Sequence, residues 1–130
     1  MNVVKGEELF ITTENKVGKL EEVTSALAAA NINIRGISAY GVGNKAYFRL
    51  ITSDNAKARE ILKKLGTVET KEVVIVDMPD QVGQLKDLAT KLKAANIDLT
   101  HIYGTTAKPQ QSAIIVFSSN NNTKALELIS

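Results

Sequence analysis

Residues 15–20 read Asn-Lys-Val-Gly-Lys-Leu, and residues 80–85 read Asp-Gln-Val-Gly-Gln-Leu. When the chain is compared with itself at a shift of 65 positions, nine of the 21 positions from Val17 to Ile37 are identical. The identical residues of the first copy are Val17, Gly18, Leu20, Leu27, Ala29, Ala30, Asn31, Ile32 and Ile37. The chain is therefore an internal duplication, and we expect both copies to adopt the same fold.

The match continues beyond this stretch at a slightly larger shift. The segment AYFRLITSDNAKA at 46–58 lies over AIIVFSSNNNTKA at 113–125, which is a shift of 67 positions. The added residues fall in a loop, where GVGN at 41–44 is replaced by AKPQQ at 107–111. Insertions are tolerated in surface turns, so the position of the added residues supports the duplication.

Each copy has the pattern of a strand, a helix, two strands and a second helix. A short apolar strand comes first, at Leu9–Ile11 and again at Val73–Val76. An apolar stripe at helical spacing follows each of them. Its members are Val17, Leu20, Val23, Leu27 and Ala30 in the first copy and Val82, Leu85, Leu88, Leu92 and Ala95 in the second. The alternation in INIRGISAY at 32–40 predicts a strand, and GVGN predicts a hairpin turn.

Polar residues stand at the expected ends of these helices. Asn15 and Asp80 precede the two apolar stripes, where a helix N-cap is wanted. Asn31 and Asn96 follow the stripes, at a position that often has left-handed backbone. Asp54 precedes the second helix of the first copy and is predicted to cap it.

A final strand would complete a ferredoxin-like βαββαβ unit in each copy. In the first copy it is expected at residues 67–71, running without a break into the first strand of the second copy. The second copy is expected to lack its own final strand. A trimmed C-terminus would give the same pattern. We expect the N-terminal MNVV or a second subunit to cover that edge. The prediction is an α+β fold of two tandem units, residues 1–71 and 72–130, with antiparallel sheets and helices on one face.

The composition excludes several classes of function. An apolar fraction of 44% favours a packed core, and 16 basic against 14 acidic residues give too small a charge to steer nucleic acid or an anionic membrane. The absence of cysteine excludes disulfides and thiolate chemistry. No signal peptide and no run of roughly 18 apolar residues is present, so we expect a cytoplasmic protein.

With this order of elements, the glycine loops and the segments AAANINI at 28–34 and KAANIDL at 93–99, the chain resembles the ACT domain family. The resemblance covers about residues 7–128 and departs from the family in one place, where Val-Gly replaces the usual Pro-Gly of the loop. It implies a regulatory module that binds an amino acid or another small effector where sheets of paired domains meet edge to edge.

The resemblance also implies a set of ligand-binding residues. They belong to the loop between the first strand and first helix, and to the start of the second strand. In the first copy they are Thr13, Asn15, Val17, Gly18, Leu20, Asn33 and Ile34. In the second copy they are Asp80, Val82, Gly83, Leu85, Asp98 and Leu99, with Met78 near the same loop.

These residue types suit an amino-acid zwitterion. Backbone N–H groups at a helix start attract a carboxylate, and glycine lets the ligand approach them. Asn15 and Asn33 offer donors and acceptors, whereas Asp80 and Asp98 repel a carboxylate. We therefore favour the first copy for the zwitterion and leave the second for a more cationic group or a structural role. A divalent cation between Asp80 and Asp98 is a weaker alternative, and no metal or cofactor is predicted.

The predicted function is ligand binding without catalysis. The chain contains no phosphate loop, and its single histidine, His101, has no evident catalytic partner, so no catalytic residue is predicted. An RNA-binding module is a further alternative on this fold, but Tyr47 and Phe48 are adjacent and should face opposite sides. The expected partners are an amino acid or related effector, a second copy in a homodimer and a metabolic enzyme, whose regulatory subunit the chain would be. Neither nucleic acid nor membrane is expected.

Overall fold

The computed structural model describes the backbone of residues 1–130 and all side chains except that of Ala107. The strands and helices follow the repeated order that the sequence predicts. They are β1 Asn2–Glu14, α1 Lys19–Ala29, β2 Ile34–Val42, β3 Lys45–Thr52, α2 Asn55–Leu62, β4 Thr67–Pro79, α3 Gln84–Ala94, β5 Leu99–Lys108, β6 Ser112–Ser119 and α4 Asn122–Ile129. The predicted fold of two ferredoxin-like units is confirmed.

The chain divides into two compact units, and the division cuts through β1 and β4. The first unit consists of residues 7–71, and the second unit consists of residues 1–6 together with residues 72–130. The strand order is β2-β3-β1-β4 in the first unit and β1-β4-β6-β5 in the second. This division differs from the one expected from the sequence in residues 1–6, which join the second unit.

Residues 1–6 supply the strand that the second unit lacks. The start of β1 lies beside β4, and Val3 packs against the core of this unit. Lys5 Nζ lies 3.8 Å from Glu72 Oε2, and a Cβ added at Gly6 would lie 2.6 Å from Ile75 Cδ1. The N-terminal segment, one of the two expected candidates, therefore covers the edge of β4.

Each unit has its own core between two helices and a sheet. In the first unit the buried faces of α1 and α2 pack on alternating residues of β1 and β3. The buried residues are Leu9, Ile11, Val23, Leu27, Ile32, Ala46, Phe48, Leu50, Ala58 and Leu62. In the second unit they are Val74, Val76, Met78, Leu88, Leu92, Ile97, Ile115, Phe117, Ala125 and Ile129. Each set follows the period of its element, which is 2 in strands and 3.6 in helices.

The predicted apolar stripes are wrong at their first two positions. Val17 is 108% exposed and Leu20 is 54% exposed, and their counterparts Val82 and Leu85 are 105% and 50% exposed. The two valines precede the helices, which begin at Lys19 and Gln84, so helical spacing does not apply to them. The stripe that packs in the core begins one turn later, at Val23 and Leu88.

The predicted N-caps Asn15 and Asp80 are also wrong. The N-cap residues are Gly18 and Gly83, with left-handed backbone at φ 92° and φ 89° and no side-chain hydrogen bond to the helix. A glycine is required there because other residues rarely adopt this conformation.

The remaining predicted helix ends are confirmed. Asn31 and Asn96 follow α1 and α3 with φ 58° and φ 56°, as the sequence predicts. Asp54 caps α2, because its side chain accepts a hydrogen bond from Lys57 N at 3.1 Å. Asn121 does the same for α4, accepting from Lys124 N at 3.0 Å.

Candidate functional site

Each unit presents an open backbone turn at the start of its first helix. A Cβ added at Gly18 or at Gly83 would meet no atom within 4 Å, so the turns are accessible from outside. The helices begin with bonds from Glu22 N to Gly18 O at 3.0 Å and from Asp87 N to Gly83 O at 2.9 Å. The N–H groups of a first helical turn have no partner within the helix. Those of Lys19 and Gln84 already donate to the loop, to Lys16 O at 3.2 Å and to Gln81 O at 3.3 Å, so the donors left for an anionic group are the N–H groups that follow them.

Asn15 and Asp80 tie these turns to the neighbouring hairpins. Asn15 Nδ2 donates to Gly43 O at 3.1 Å, and Asp80 Oδ2 accepts from Gln110 N at 2.8 Å. The first hairpin presents a carbonyl oxygen, which needs the donor that Asn15 supplies. The second hairpin presents an N–H group, which needs the acceptor that Asp80 supplies. The exchange of amide for acid between the copies therefore matches the chemistry of each hairpin.

The starts of the second strands lie at the far end of each unit from these turns. Asn33 N donates to Ser53 Oγ at 2.9 Å, just beyond the end of β3, whereas Asn15 N donates to Asn44 O at 2.9 Å, just before its start. β3 has eight residues, which corresponds to roughly 25 Å. The structure therefore does not bring Asn33 and Asn15 together within one unit.

The second unit shows the same separation. Asp98 N donates to Asn120 Oδ1 at 3.0 Å beyond the end of β6, and Asp80 N donates to Gln111 O at 3.3 Å before its start. The two carboxylates are thus too far apart to share one cation. Among the described residues, no group of three His, Asp or Glu side chains is placed to hold a metal ion.

The other predicted residues are divided between surface and core. Thr13 is 7% exposed and its Oγ1 donates to Glu14 O at 2.9 Å, while Met78 is 3% exposed in the core. Ile34 and Leu99 are half-buried against the two cores. Val17, Leu20, Val82 and Leu85 are the apolar side chains exposed beside the glycine turns.

A pocket of about 270 Å³ lies beside the glycine turn of the second unit. The end of β4, the following loop, the start of α3, β5 and β6 form its walls. The side chains that matter for its chemistry are Met78, Asp80, Leu85, Thr105, Thr106 and Ile115. Three residues of the predicted set, Met78, Asp80 and Leu85, therefore line one cavity. This pocket could not be predicted from the sequence, because its other walls are strands that are distant in the chain.

The first unit has an aromatic cluster that was not predicted from the sequence. Phe48 is buried in the core, and Tyr47 lies on the opposite face as predicted. The Tyr47 ring stacks on Phe10, with centroids 5.7 Å apart, and lies 5.4 Å from Tyr40. Arg49 lies 4.6 Å from the centroid of Phe10. The Phe10 ring thus already has stacking and cationic neighbours of its own.

None of the four helices in the described chain has both the length and the apolar character needed to cross a bilayer.

Comparison with known proteins gives a family and a set of similar folds. A family model described as an ACT domain pair matches residues 3–130. A solved protein from Bacteroides thetaiotaomicron has a TM-score of 0.89 and 29% identity, over 99% of this chain and 89% of that one. A comparison with curated proteins gave no match.

Two aspartate kinase chains share the fold at lower identity. The regulatory subunit of aspartate kinase from Thermus thermophilus, solved free of ligand, has a TM-score of 0.68 and 12% identity, over 98% of this chain and 93% of that one. Aspartokinase III from E. coli, solved with lysine and aspartate, has a TM-score of 0.57 and 16% identity, over 97% of this chain and 31% of that one.

Proposed function

Because the chain belongs to the ACT domain family, whose pair model matches residues 3–130, we propose that it is a regulatory protein that acts by binding a small effector. The proposed effector is an amino acid or a closely related molecule, and the protein does not catalyse its conversion. Its effect on a partner arises from a difference in the affinity of two conformational states for the ligand.

The observation that carries this proposal is the open glycine turn at each helix start. Gly18 and Gly83 have left-handed backbone, and no atom lies within 4 Å of a Cβ built on either. The helical N–H groups that follow Lys19 and Gln84 are thereby offered to a carboxylate, which the positive end of the helix dipole also favours. The family resemblance supports the same loops as effector-binding elements.

The proposal includes a homodimer. A ligand held at a glycine turn cannot also reach Asn33 of the same unit, because β3 separates them by roughly 25 Å. A second copy would bring its own Asn33 or Asp98 to the turn. The exposed side chains of Val17 and Val82 beside the turns are apolar surface that such a contact would bury.

The regulated partner is proposed to be an enzyme of amino-acid metabolism. The Thermus thermophilus chain, which has this fold over 93% of its length, is itself the regulatory subunit of aspartate kinase. The alternative form of the proposed function is therefore that of a regulatory subunit, a chain separate from the catalytic chain of the enzyme that it regulates. The cytoplasmic location of the protein stays a prediction from the sequence.

Thermal unfolding against the twenty amino acids, with purines and an RNA oligomer as further arms, tests the proposal. A ligand at about 100 times its Kd adds roughly 2.7 kcal/mol of stability, which raises the Tm by several degrees. We expect such a shift with one or a few amino acids and none with RNA. A flat response to every amino acid would contradict the proposal, and a shift with RNA alone would favour nucleic-acid binding.

A further inference from the structure

The second unit has a pocket where the first unit has a larger side chain. Gly104 and Ile115 face each other across β5 and β6, and the matching pair across β2 and β3 is Ala39 and Phe48. Phe48 is 3% exposed, so its ring fills the core of the first unit. The smaller pair leaves a cavity of about 270 Å³ beside the start of α3, several times the roughly 30 Å³ that one water molecule occupies. This cavity has room for a branched apolar side chain.

An exposed apolar side chain lies beside the pocket. Val82 lies in the chain between Gln81 and Gln84, which both line the cavity, yet its own side chain is 105% exposed. Leu85 also lines the cavity and is half exposed. The same patch of the second unit therefore carries a protruding valine and a cavity that could receive one.

Such a patch is complementary to a copy of itself. In a dimer with two-fold symmetry the same surface of each copy forms the contact, so a side chain of one copy can enter the cavity of the other, and the reverse contact is equivalent. Both features must then lie close to the symmetry axis, which their neighbouring positions in the second unit allow. The contact removes two exposed valines from water and fills two cavities.

The charges around the pocket are self-complementary as well. Asp80 lines the cavity and Lys86 lies in the first turn of α3, and neither takes part in the ion pairs of the described residues. In a two-fold contact Asp80 of each copy can pair with Lys86 of the other. The matching positions of the first unit hold Asn15 and Glu21, which carry no opposite charges. The charge pattern therefore favours self-association of the second unit over that of the first.

On the basis of the homodimer in the proposed function, we infer that two copies of the chain associate through their second units, with Val82 of each copy inserted in the pocket of the other. The buried floor of the pocket supplies the apolar contacts, and Asp80 pairs with Lys86 of the second copy at the polar rim. The contact occupies the turn at Gly83 and leaves the turn at Gly18 to the effector.

Sedimentation velocity of the full chain over a range of concentrations tests the contact. Val82→Asp should raise the Kd of the dimer about tenfold or more, because it places a charge in an apolar pocket. Ile115→Phe, which places the first unit's ring in the pocket, should do the same. Val17→Asp is the matched change in the first unit and should leave the Kd unchanged. Loss of the dimer in Val17→Asp but not in Val82→Asp overturns the inference.

Charge reversal tests the two-fold arrangement independently of the shape of the pocket. Lys86→Glu and Asp80→Lys should each form a weaker dimer alone, because like charges then meet across the axis. An equal mixture of the two variants should regain the original Kd, since each copy then offers the charge that the other needs. Glu21→Lys, the matched change in the first unit, is the control. A mixture that associates as weakly as the separate variants overturns the inference.

The outcomes separate this inference from the proposed function. A dimer that survives Val82→Asp, Ile115→Phe and Lys86→Glu, with each variant folded by circular dichroism, overturns the inference and leaves a homodimer at another surface. A chain that is monomeric at all concentrations overturns the inference and the homodimer together and leaves the pocket to a small ligand, while effector binding is decided separately by thermal unfolding. If Ile115→Phe or Asp80→Lys does not fold, Val82→Asp and Lys86→Glu decide.

Discussion

Arg49 Nη1 lies 3.0 Å from Glu8 Oε1 in the first unit, and the repeat places Val116 and Val73 at the same two positions of the second unit. The side chains of Glu8 and Arg49 are 1% and 13% exposed, so this is a buried ion pair. The Arg49 Nε atom is buried and has no hydrogen-bond partner among the described residues. The duplicated fold thus accepts either two opposite charges or two apolar side chains at one place.

A buried ion pair depends on both of its members. Glu8→Val or Arg49→Val alone removes one member of this buried ion pair and keeps the other charge, and it should lower the free energy of unfolding by about 3–5 kcal/mol. The double variant should be clearly more stable than either single one, because it recreates the pair of valines found in the second unit. Urea unfolding measures all three, and a double variant no more stable than the single ones would contradict this interpretation.

A surface ion pair allows a prediction about pH. The pKa of the Glu60 carboxyl lies below its usual range, because Lys63 Nζ donates to Glu60 Oε1 at 2.9 Å and because Lys63 carries a positive charge. The folded-state pKa is depressed, so the pair's small contribution to stability is present above the unfolded-state pKa and is lost as pH falls through the folded-state pKa.

Lys63→Gln should raise the pKa of Glu60 towards its ordinary value, which an NMR titration of the Glu60 side chain measures. Lys64→Gln, which removes the charge of the neighbouring lysine and keeps Lys63, is the control. An unchanged pKa in Lys63→Gln would show that the pair is not formed in solution.

The glycines of the chain should respond unequally to alanine. Gly18→Ala and Gly83→Ala meet no neighbouring atom and carry only the left-handed backbone penalty, about 1–2 kcal/mol each. A Cβ at Gly104 would overlap Ile115 Cδ1 and lie 2.8 Å from the backbone oxygen of Ile114, so Gly104→Ala should cost more. Chemical denaturation ranks the three variants, and equal losses would be inconsistent with these contacts.

The exposed valines test the proposed homodimer. Val17 and Val82 are fully exposed, so Val17→Asp and Val82→Asp should leave the Tm of the isolated chain within about 1 °C of the original value. If the glycine turns lie at a dimer contact, at least one substitution should shift the chain towards monomer in sedimentation velocity. Glu21→Gln, on the exposed surface of α1, is the control. A chain that is monomeric at all concentrations would contradict the dimer.

The order of elements and the left-handed asparagines could be predicted from the sequence, because they depend on local spacing. The spacing of Val23 and Leu27 identifies a helix regardless of what packs on it. Asn31 and Asn96 follow the last helical turn in both copies, so their backbone conformation is a local property.

The partners of Asn15 and Asp80 could not be predicted, because each hydrogen bond spans about thirty residues of chain. The separation in sequence between Asn15 and Asn33 equals that between Asp80 and Asp98. This equality shows that the two pairs occupy equivalent positions in the copies, but it does not show how far apart the residues lie in the folded chain. The N-terminal MNVV was one of two candidates predicted to cover the unpaired edge of the second unit, and local spacing could not decide between it and a second subunit. Residues 2–6 alternate weakly, and only their place beside β4 makes them a strand of the second unit.

If a glycine-opened helix start holds an amino-acid effector, an NMR titration of the ¹⁵N-labelled chain with each amino acid will show the ligand at that loop. At least one amino acid should produce saturable shifts centred on the backbone amides of residues 16–20 or 81–85. An amino acid that raises the Tm while shifting only amides remote from both loops would contradict it.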